Sequence, residues 1–312
     1  MQTLQFRSNG KLMISGEYLV LAGARALAIP VRYGQSLTVQ CRPAPCLQIG
    51  WSSRQSGREW FRATFHGEAL EAADASDGHT AKTLQRLLIA CRKLNPAFLS
   101  APASWQVETE LEFDRNWGLG SSSTLVSNLA LWAGADPYRL LFATLGGSGY
   151  DLACARSHTG ILYKYRGADR APEVSTAVFR PSFSGQLGFV YTGRKQDTPV
   201  SLSRFSPGDV PKADVREVSR LSLEMAGAGD LASFMDLMSA HERIVGRVTG
   251  QVPVQPARFP GFEGALKSLG AWGGDFLLAA SPRDLGWQRD YFKARGLHTF
   301  IPFDDMILKK SP

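Results

Sequence analysis

The chain has 312 residues, of which 44% are hydrophobic and 20% charged, with a formal net charge of +7. This composition excludes a largely disordered chain, and the length suits one large domain or two modest ones. With no run of about 18 apolar residues, no transmembrane helix is expected. The first residues also lack a basic-then-apolar signal pattern, so the expected location is the cytoplasm, with no membrane partner. The positive charge favours phosphorylated ligands mildly. No dense Lys/Arg run with interleaved aromatics occurs, so no nucleic-acid partner is expected. Cys41, Cys46, Cys91 and Cys154 are scattered without a metal-ligand rhythm and read as reduced thiols.

The first third reads as strands. Lys11–Ser15, Ala26–Val31, Ser36–Gln40 and Trp60–Phe65 are short apolar or alternating runs, punctuated by Gly10, Gly16, Gly23 and Gly34. From Thr80 to Leu94, Leu84, Leu87, Leu88 and Cys91 form the apolar stripe of a helix, and Pro96 follows its end. Trp105–Phe113 alternates as a strand and runs into a Gly-Ser loop. Leu125–Trp132 predicts a helix with Gly134 as its C-cap. Asp136 and Pro137 then predict the start of a second helix reaching about Leu145. Gly146–Gly149 breaks it, and Gly160–Tyr165 reads as a strand. The polar stretch Ala168–Pro181 places a domain boundary, giving domains 1–170 and 171–312. Beyond it come a strand over Gly185–Thr192, helices over Asp214–Val248 interrupted at 227–229, and a helix over Pro260–Leu269. Strand Phe276–Ala280, a helix ending near Gly296 and a last strand at Thr299–Pro302 complete an α+β pattern.

Three segments carry chemistry. Gly118-Leu119-Gly120-Ser121-Ser122-Ser123 lies between a strand and a helix. Its glycines permit close backbone approach, and the following helix N-terminus offers amides and partial positive charge to phosphate. A Gly turn with a Ser cap explains the same letters. In Ser8–Tyr18, Lys11 enters an apolar strand, where its charge either meets an anion or reaches water at an edge. Glu17 could pair with Lys11 or help hold a metal. In Gly147–Ala153, Asp151 is either a helix N-cap or a carboxylate that takes a proton from an attacking hydroxyl. The five histidines are dispersed, and His241-Glu242 has no second His one turn on, so no metal centre of that kind is expected.

Taken in order, these segments resemble the motifs of the GHMP kinases. Lys11–Tyr18 resembles the first motif, Gly118–Ser122 matches the second letter for letter, and Gly270–Asp275 resembles the glycine-rich third, with Trp272 where Gly is usual. The likeness runs from about residue 8 to about 280. Within the family it is nearest the phosphomevalonate kinase and mevalonate kinase branch, through Gly16-Glu17-Tyr18, Ser148, Asp151 and Asp275.

The resemblance implies a two-domain fold, with an N-terminal ATP-binding α/β domain and a C-terminal ferredoxin-like α+β sandwich. It implies an ATP-dependent, Mg2+-requiring kinase acting on a small anionic acceptor, phosphomevalonate or mevalonate, in isoprenoid precursor synthesis. A homodimer is a candidate assembly. Asp151 and Lys11 would be catalytic. Gly118, Leu119, Gly120, Ser121, Ser122 and Ser123 would bind ATP, with Ser122 on the metal. Glu17, Tyr18, Ser148, Gly273, Gly274 and Asp275 would serve the acceptor. Mevalonate kinases carry a metal-binding Glu on the helix before the catalytic Asp; here Pro137–Leu145 holds no acid. The alternatives are a sugar or amino-alcohol kinase of the same family, or a non-catalytic ATP- or RNA-binding protein. A diphosphomevalonate decarboxylase is disfavoured by Lys11.

Overall fold

The computed structural model describes residues 2–193, 205–270 and 275–309. The chain opens with two long strands, β1 (Gln2–Ser15) and β2 (Arg25–Pro43). Then come β3 (Gln48–Gln55), β4 (Arg58–His66), β5 (Glu71–Ala73), α1 (Gly78–Leu94) and β6 (Ala103–Leu111). Three helices follow: α2 (Ser121–Ala133), α3 (Pro137–Thr144) and α4 (Tyr150–Ala155). After β7 (Gly160–Lys164), β8 (Glu173–Ala177) and β9 (Leu187–Tyr191) lie α5 (Lys212–Ala226), α6 (Leu231–Thr249) and α7 (Val254–Arg258). The last elements are β10 (Ala265–Leu269), β11 (Phe276–Ala280), α8 (Leu285–Lys293), β12 (Phe300–Pro302) and α9 (Phe303–Met306).

The chain forms two compact units that interleave in sequence. One comprises Met1–Gly10, Tyr33–Arg115 and Gly120–Arg156; the other comprises Lys11–Arg32, Asn116–Leu119 and Ser157–Pro312. They interleave because β1 and β2 each contribute residues to both.

In the first unit the strands run in the order β5, β4, β3, β6, β2. The β3–β6 pair is parallel, and its long connection contains α1, as a parallel crossover requires. Val39, Ile49, Trp51, Phe61, Phe65 and Val107 pack with Leu84, Leu87, Leu88 and Cys91 of α1 and with Val126 and Leu129 of α2 in one core. Helix boundaries follow their caps. Asp77 accepts from the Thr80 amide (2.7 Å) to start α1, and Asp136 accepts from the Arg139 amide (2.8 Å) to start α3. The two strands expected at Ala26–Val31 and Ser36–Gln40 are one strand, β2. Gly34 does not break it but thins it, since a Cβ there would come within 2.5 Å of the Ser8 carbonyl oxygen.

In the second unit the N-terminal part of β2 pairs antiparallel with β7, which pairs with β8. A separate antiparallel sheet has the order β10, β11, β9, β12. Helix α6 packs on both β10 and α5. The helix expected over Pro260–Leu269 is instead strand β10, with Leu266 opposite Ala279 and Ser268 opposite Leu277. All five of its residues are buried. A strand buried on both faces loses the alternating pattern and looks like a helical segment in sequence. Gly264, at φ 146°, interrupts the chain just before it, where a Cβ would overlap the Ala280 carbonyl.

Candidate active site

The Gly-Ser loop is anchored at its entry in the second unit. Trp117 packs edge-on against Phe276, ring centroids 5.7 Å apart, and tilted against Tyr191 at 6.4 Å. Gly118 takes φ 65°, and a Cβ there would overlap the Asp275 carboxylate. Leu119 is fully buried, and its carbonyl accepts from the Lys11 amide at 3.0 Å. The Lys11 ammonium donates to the Gly118 carbonyl at 3.2 Å. The structure therefore brings Lys11, Gly118, Leu119 and Asp275 together, with an ammonium and a carboxylate both beside Gly118.

In the first unit the loop ends at Gly120, φ 90°, which starts α2 with no side-chain cap. Four other helices begin on aspartate caps, at Asp77, Asp136, Asp230 and Asp284. Gly120 thus gives the start of α2 no side-chain cap, and Ser122 is exposed. The helix is held from its buried side by hydroxyls and amides, with the Arg156 guanidinium also donating to Ser127 Oγ at 3.3 Å. The Ser8 hydroxyl lies 2.8 Å from both Ser127 Oγ and Asn128 Oδ1. Asn128 Nδ2 donates to the Gln35 carbonyl at 2.9 Å, and the Thr124 hydroxyl lies 2.7 Å from Gln35 Oε1.

Asp151 is in the first turn of α4, whose N-cap is Gly149 at φ 83°. The N-cap reading of Asp151 is therefore replaced: the left-handed cap position falls to glycine, which carries no Cβ penalty there. Ser148, just before it, is buried. Helix α4 packs on α2. Gly273 and Gly274, expected near the acceptor, lie outside the described residues, as does Trp272.

Glu17 and Tyr18 occupy the turn after β1. Tyr18 is buried at φ 62°, its ring edge-on to Phe205 with centroids 5.4 Å apart. The Glu17 carboxylate, which the sequence offered to Lys11, is in an ion pair with Lys267, whose Nζ donates to Glu17 Oε1 at 2.5 Å. Burial pushes the Glu17 carboxyl up, while the Lys267 ammonium pulls against it. His241 is pushed well below its usual range, first by burial and then by Lys267. Glu242 is pushed up to about 7 by burial, with Lys267 opposing and Glu17 adding to the rise. Sequence reasoning missed Lys267 and dismissed His241 and Glu242. The one available signal was a lysine inside the apolar run Ala265–Leu269.

Among the described residues, no three His, Cys, Asp or Glu side chains gather as a metal centre, and α3 carries no acid.

No protein-family model matches the chain, and no curated protein sequence matches it. Solved structures do. Streptococcus pneumoniae phosphomevalonate kinase, in complex with phosphomevalonate and AMPPNP, is 16% identical, covers 95% of this chain and 99% of its own, and superposes with a TM-score of 0.69. L. major mevalonate kinase in complex with R-mevalonate is 18% identical over 94% of this chain and 91% of its own, TM-score 0.62. Lactococcus lactis galactokinase complexed with galactose is 13% identical over 96% and 94%, TM-score 0.62. The chain thus has a kinase-type α+β fold over nearly its whole length. More particularly, it has the fold of the GHMP kinases.

Proposed function

We propose that the protein is an ATP-dependent GHMP-type phosphotransferase whose acceptor is a small anion, phosphomevalonate or mevalonate. The observation that carries this reading is the uncapped, glycine-led start of α2. Gly118 and Gly120 both take positive φ there, and three serines follow. Such an end presents amides and a partial positive charge suited to a triphosphate.

Gly118–Ser123 hold the nucleotide, and Ser122 would hold a Mg2+ that neutralises phosphate charge. The acceptor oxygen attacks the γ-phosphorus in line, the bridging bond to the β-phosphate breaks, and ADP leaves. Asp151 takes the proton of an acceptor hydroxyl, or orients an acceptor phosphate oxygen. Lys11, already on the loop carbonyl, offsets the developing charge. Positioning and charge stabilisation do most of the work in such transfers. Tyr18, Ser148, Gly273, Gly274 and Asp275 serve the acceptor. The choice of acceptor is supported by the pattern Ser148–Asp151, by Tyr18 and Asp275, and by the net charge of +7. The same reading divides the chain into an ATP-binding domain to residue 170 and a second domain from 171, working in the cytoplasm in isoprenoid precursor synthesis, with a homodimer as its assembly.

Thermal unfolding with Mg-AMPPNP or with poly-U tests the class. A ligand at 100 times its Kd stabilises the native state by about 2.7 kcal/mol. Mg-AMPPNP should therefore raise Tm by several degrees and poly-U should not; the reverse pattern would make this a nucleic-acid-binding protein. Release of ADP with phosphomevalonate, mevalonate, galactose and homoserine in parallel then fixes the acceptor.

A further inference from the structure

Four ionisable side chains that the transfer does not use meet in the second unit: Glu17, His241, Glu242 and Lys267, each 4% exposed or less. They come from three elements. Glu17 is in the turn after β1, His241 and Glu242 are on α6, and Lys267 is at the centre of β10. Lys267 Nζ donates to Glu17 Oε1 at 2.5 Å and to the Ser268 carbonyl at 3.0 Å. The Gly16 amide donates to His241 Nε2 at 2.8 Å. Because that nitrogen accepts, the imidazole is neutral with its proton on Nδ1, and the 3.5 Å approach of Glu17 Oε2 to Nε2 is not an ion pair. Glu242 Oε1 accepts from the Ser268 amide at 3.2 Å.

The turn 16–18 is thus fastened at two successive residues, Gly16 by its backbone to α6 and Glu17 by its side chain to β10. It needs fastening. Tyr18 holds φ 62° and ψ −54°, and such backbone costs a non-glycine residue on the order of 1–3 kcal/mol. A Cβ at Gly16, φ 99°, would come within 2.6 Å of the Ala26 Cβ. The cluster is also a poor investment if stability were its only role. Glu17 Oε2, His241 Nδ1, Glu242 Oε2 and Ser268 Oγ are buried without hydrogen-bond partners among the described residues. Well-packed apolar groups often stabilise as well as such an ion pair or better. β10 also belongs to the hairpin whose second strand is preceded by Asp275, the carboxylate against Gly118.

We infer that Lys267 is a positioning residue: through Glu17 it locks the strained 16–18 turn onto the hairpin that carries Asp275. Glu17 then acts through the turn's position and not by touching the acceptor. The inference rests on the kinase reading for its consequence, but the lock itself is a property of the fold.

Amide hydrogen exchange tests it on the full chain without substrate, comparing wild type, Lys267→Met, Glu17→Gln and the double variant. The Gly16 and Tyr18 amides should exchange about tenfold faster in Lys267→Met when scaled to Phe189 and Val190 of β9, whose buried amides report global opening. Both substitutions break the same tether, so the turn amides of the double variant should exchange no more than about threefold faster than those of Lys267→Met. A uniform change across the second unit, or unchanged turn amides, overturns the inference. With phosphomevalonate as acceptor, Lys267→Met should raise the acceptor KM while the AMPPNP Kd holds, and the double variant should be no more impaired than Lys267→Met, since both act through one tether. If the KM of the double variant rises by the product of the two single effects, Glu17 acts on the acceptor separately and the inference fails. No turnover by wild type would sink the kinase reading, and the exchange rates would still decide the lock.

Discussion

Behind α2 the first unit buries hydroxyls and amides, whereas beside the 16–18 turn the second unit buries two carboxylates, an ammonium and an imidazole. The two networks solve the same problem, holding a loop that carries a candidate functional group, with different chemistry. In the first, Ser8, Ser127, Asn128, Gln35 and Thr124 are joined by hydrogen bonds of 2.7–2.9 Å, and none of their side chains is among those left without partners. Neutral groups bonded in this way offset their own desolvation, and their bonds persist across the physiological pH range. In the second, one strong ion pair coexists with four unpartnered polar atoms, and the protons of the cluster move with pH. Helix α2 is thereby held by a pH-insensitive frame, and the 16–18 turn by a pH-sensitive one.

The largest effect that sharpens this contrast is the pH dependence of stability. Burial pushes the Glu242 carboxyl up to about 7 from its ordinary 4.5. A raised carboxyl contributes stability that is fully present below pH 4.5 and lost as pH rises through 7. At 1.36 kcal/mol per unit this loss amounts to about 3 kcal/mol as an upper figure. Urea unfolding of wild type should therefore show stability falling between about pH 4.5 and 7; the raised Glu17 carboxyl acts in the same sense, so Glu242→Gln should remove part of that slope. His241, depressed, acts in the opposite sense: its contribution is present above 6.5 and lost as pH falls. A wild-type curve that rises steadily from pH 5 to 8 would break the contrast.

A smaller effect is expected from the neutral network. Ser8→Ala removes the hydroxyl shared by Ser127 and Asn128 and should cost about 1–2 kcal/mol. That cost should be the same at pH 5 and pH 8. A cost that changes with pH would mean that the two networks are not separate in kind.

Much of the neutral frame's setting was readable from local letters. Asp136 announced the cap of α3, and the glycines at 118 and 120 announced a loop between strand and helix. These are short-range signals, each carried by a few adjacent residues. The charged cluster was not readable in the same way. Glu17 and Lys267 are 250 residues apart, and no local pattern joins them. The run Ala265-Leu266-Lys267-Ser268-Leu269 also admits a helical reading, which would put Lys267 on a solvated face; only burial on both sides of β10 shows that its charge must be matched. Lys11 is an intermediate case. Its motif marked it as important, but that its ammonium lies on the Gly118 carbonyl follows only from how β1 meets the loop.

The central claim is that the glycine-led start of α2 holds a nucleotide while Asp151 acts on the acceptor. Its most direct test is Asp151→Ala, read by steady-state ADP release with phosphomevalonate and by AMPPNP binding on the same preparation. The account predicts a fall in kcat of about 100- to 10,000-fold, the range for a lost general base, with the AMPPNP Kd unchanged within about threefold, because the amides of Ser121–Ser123 remain in place. Unchanged turnover in the variant would contradict it.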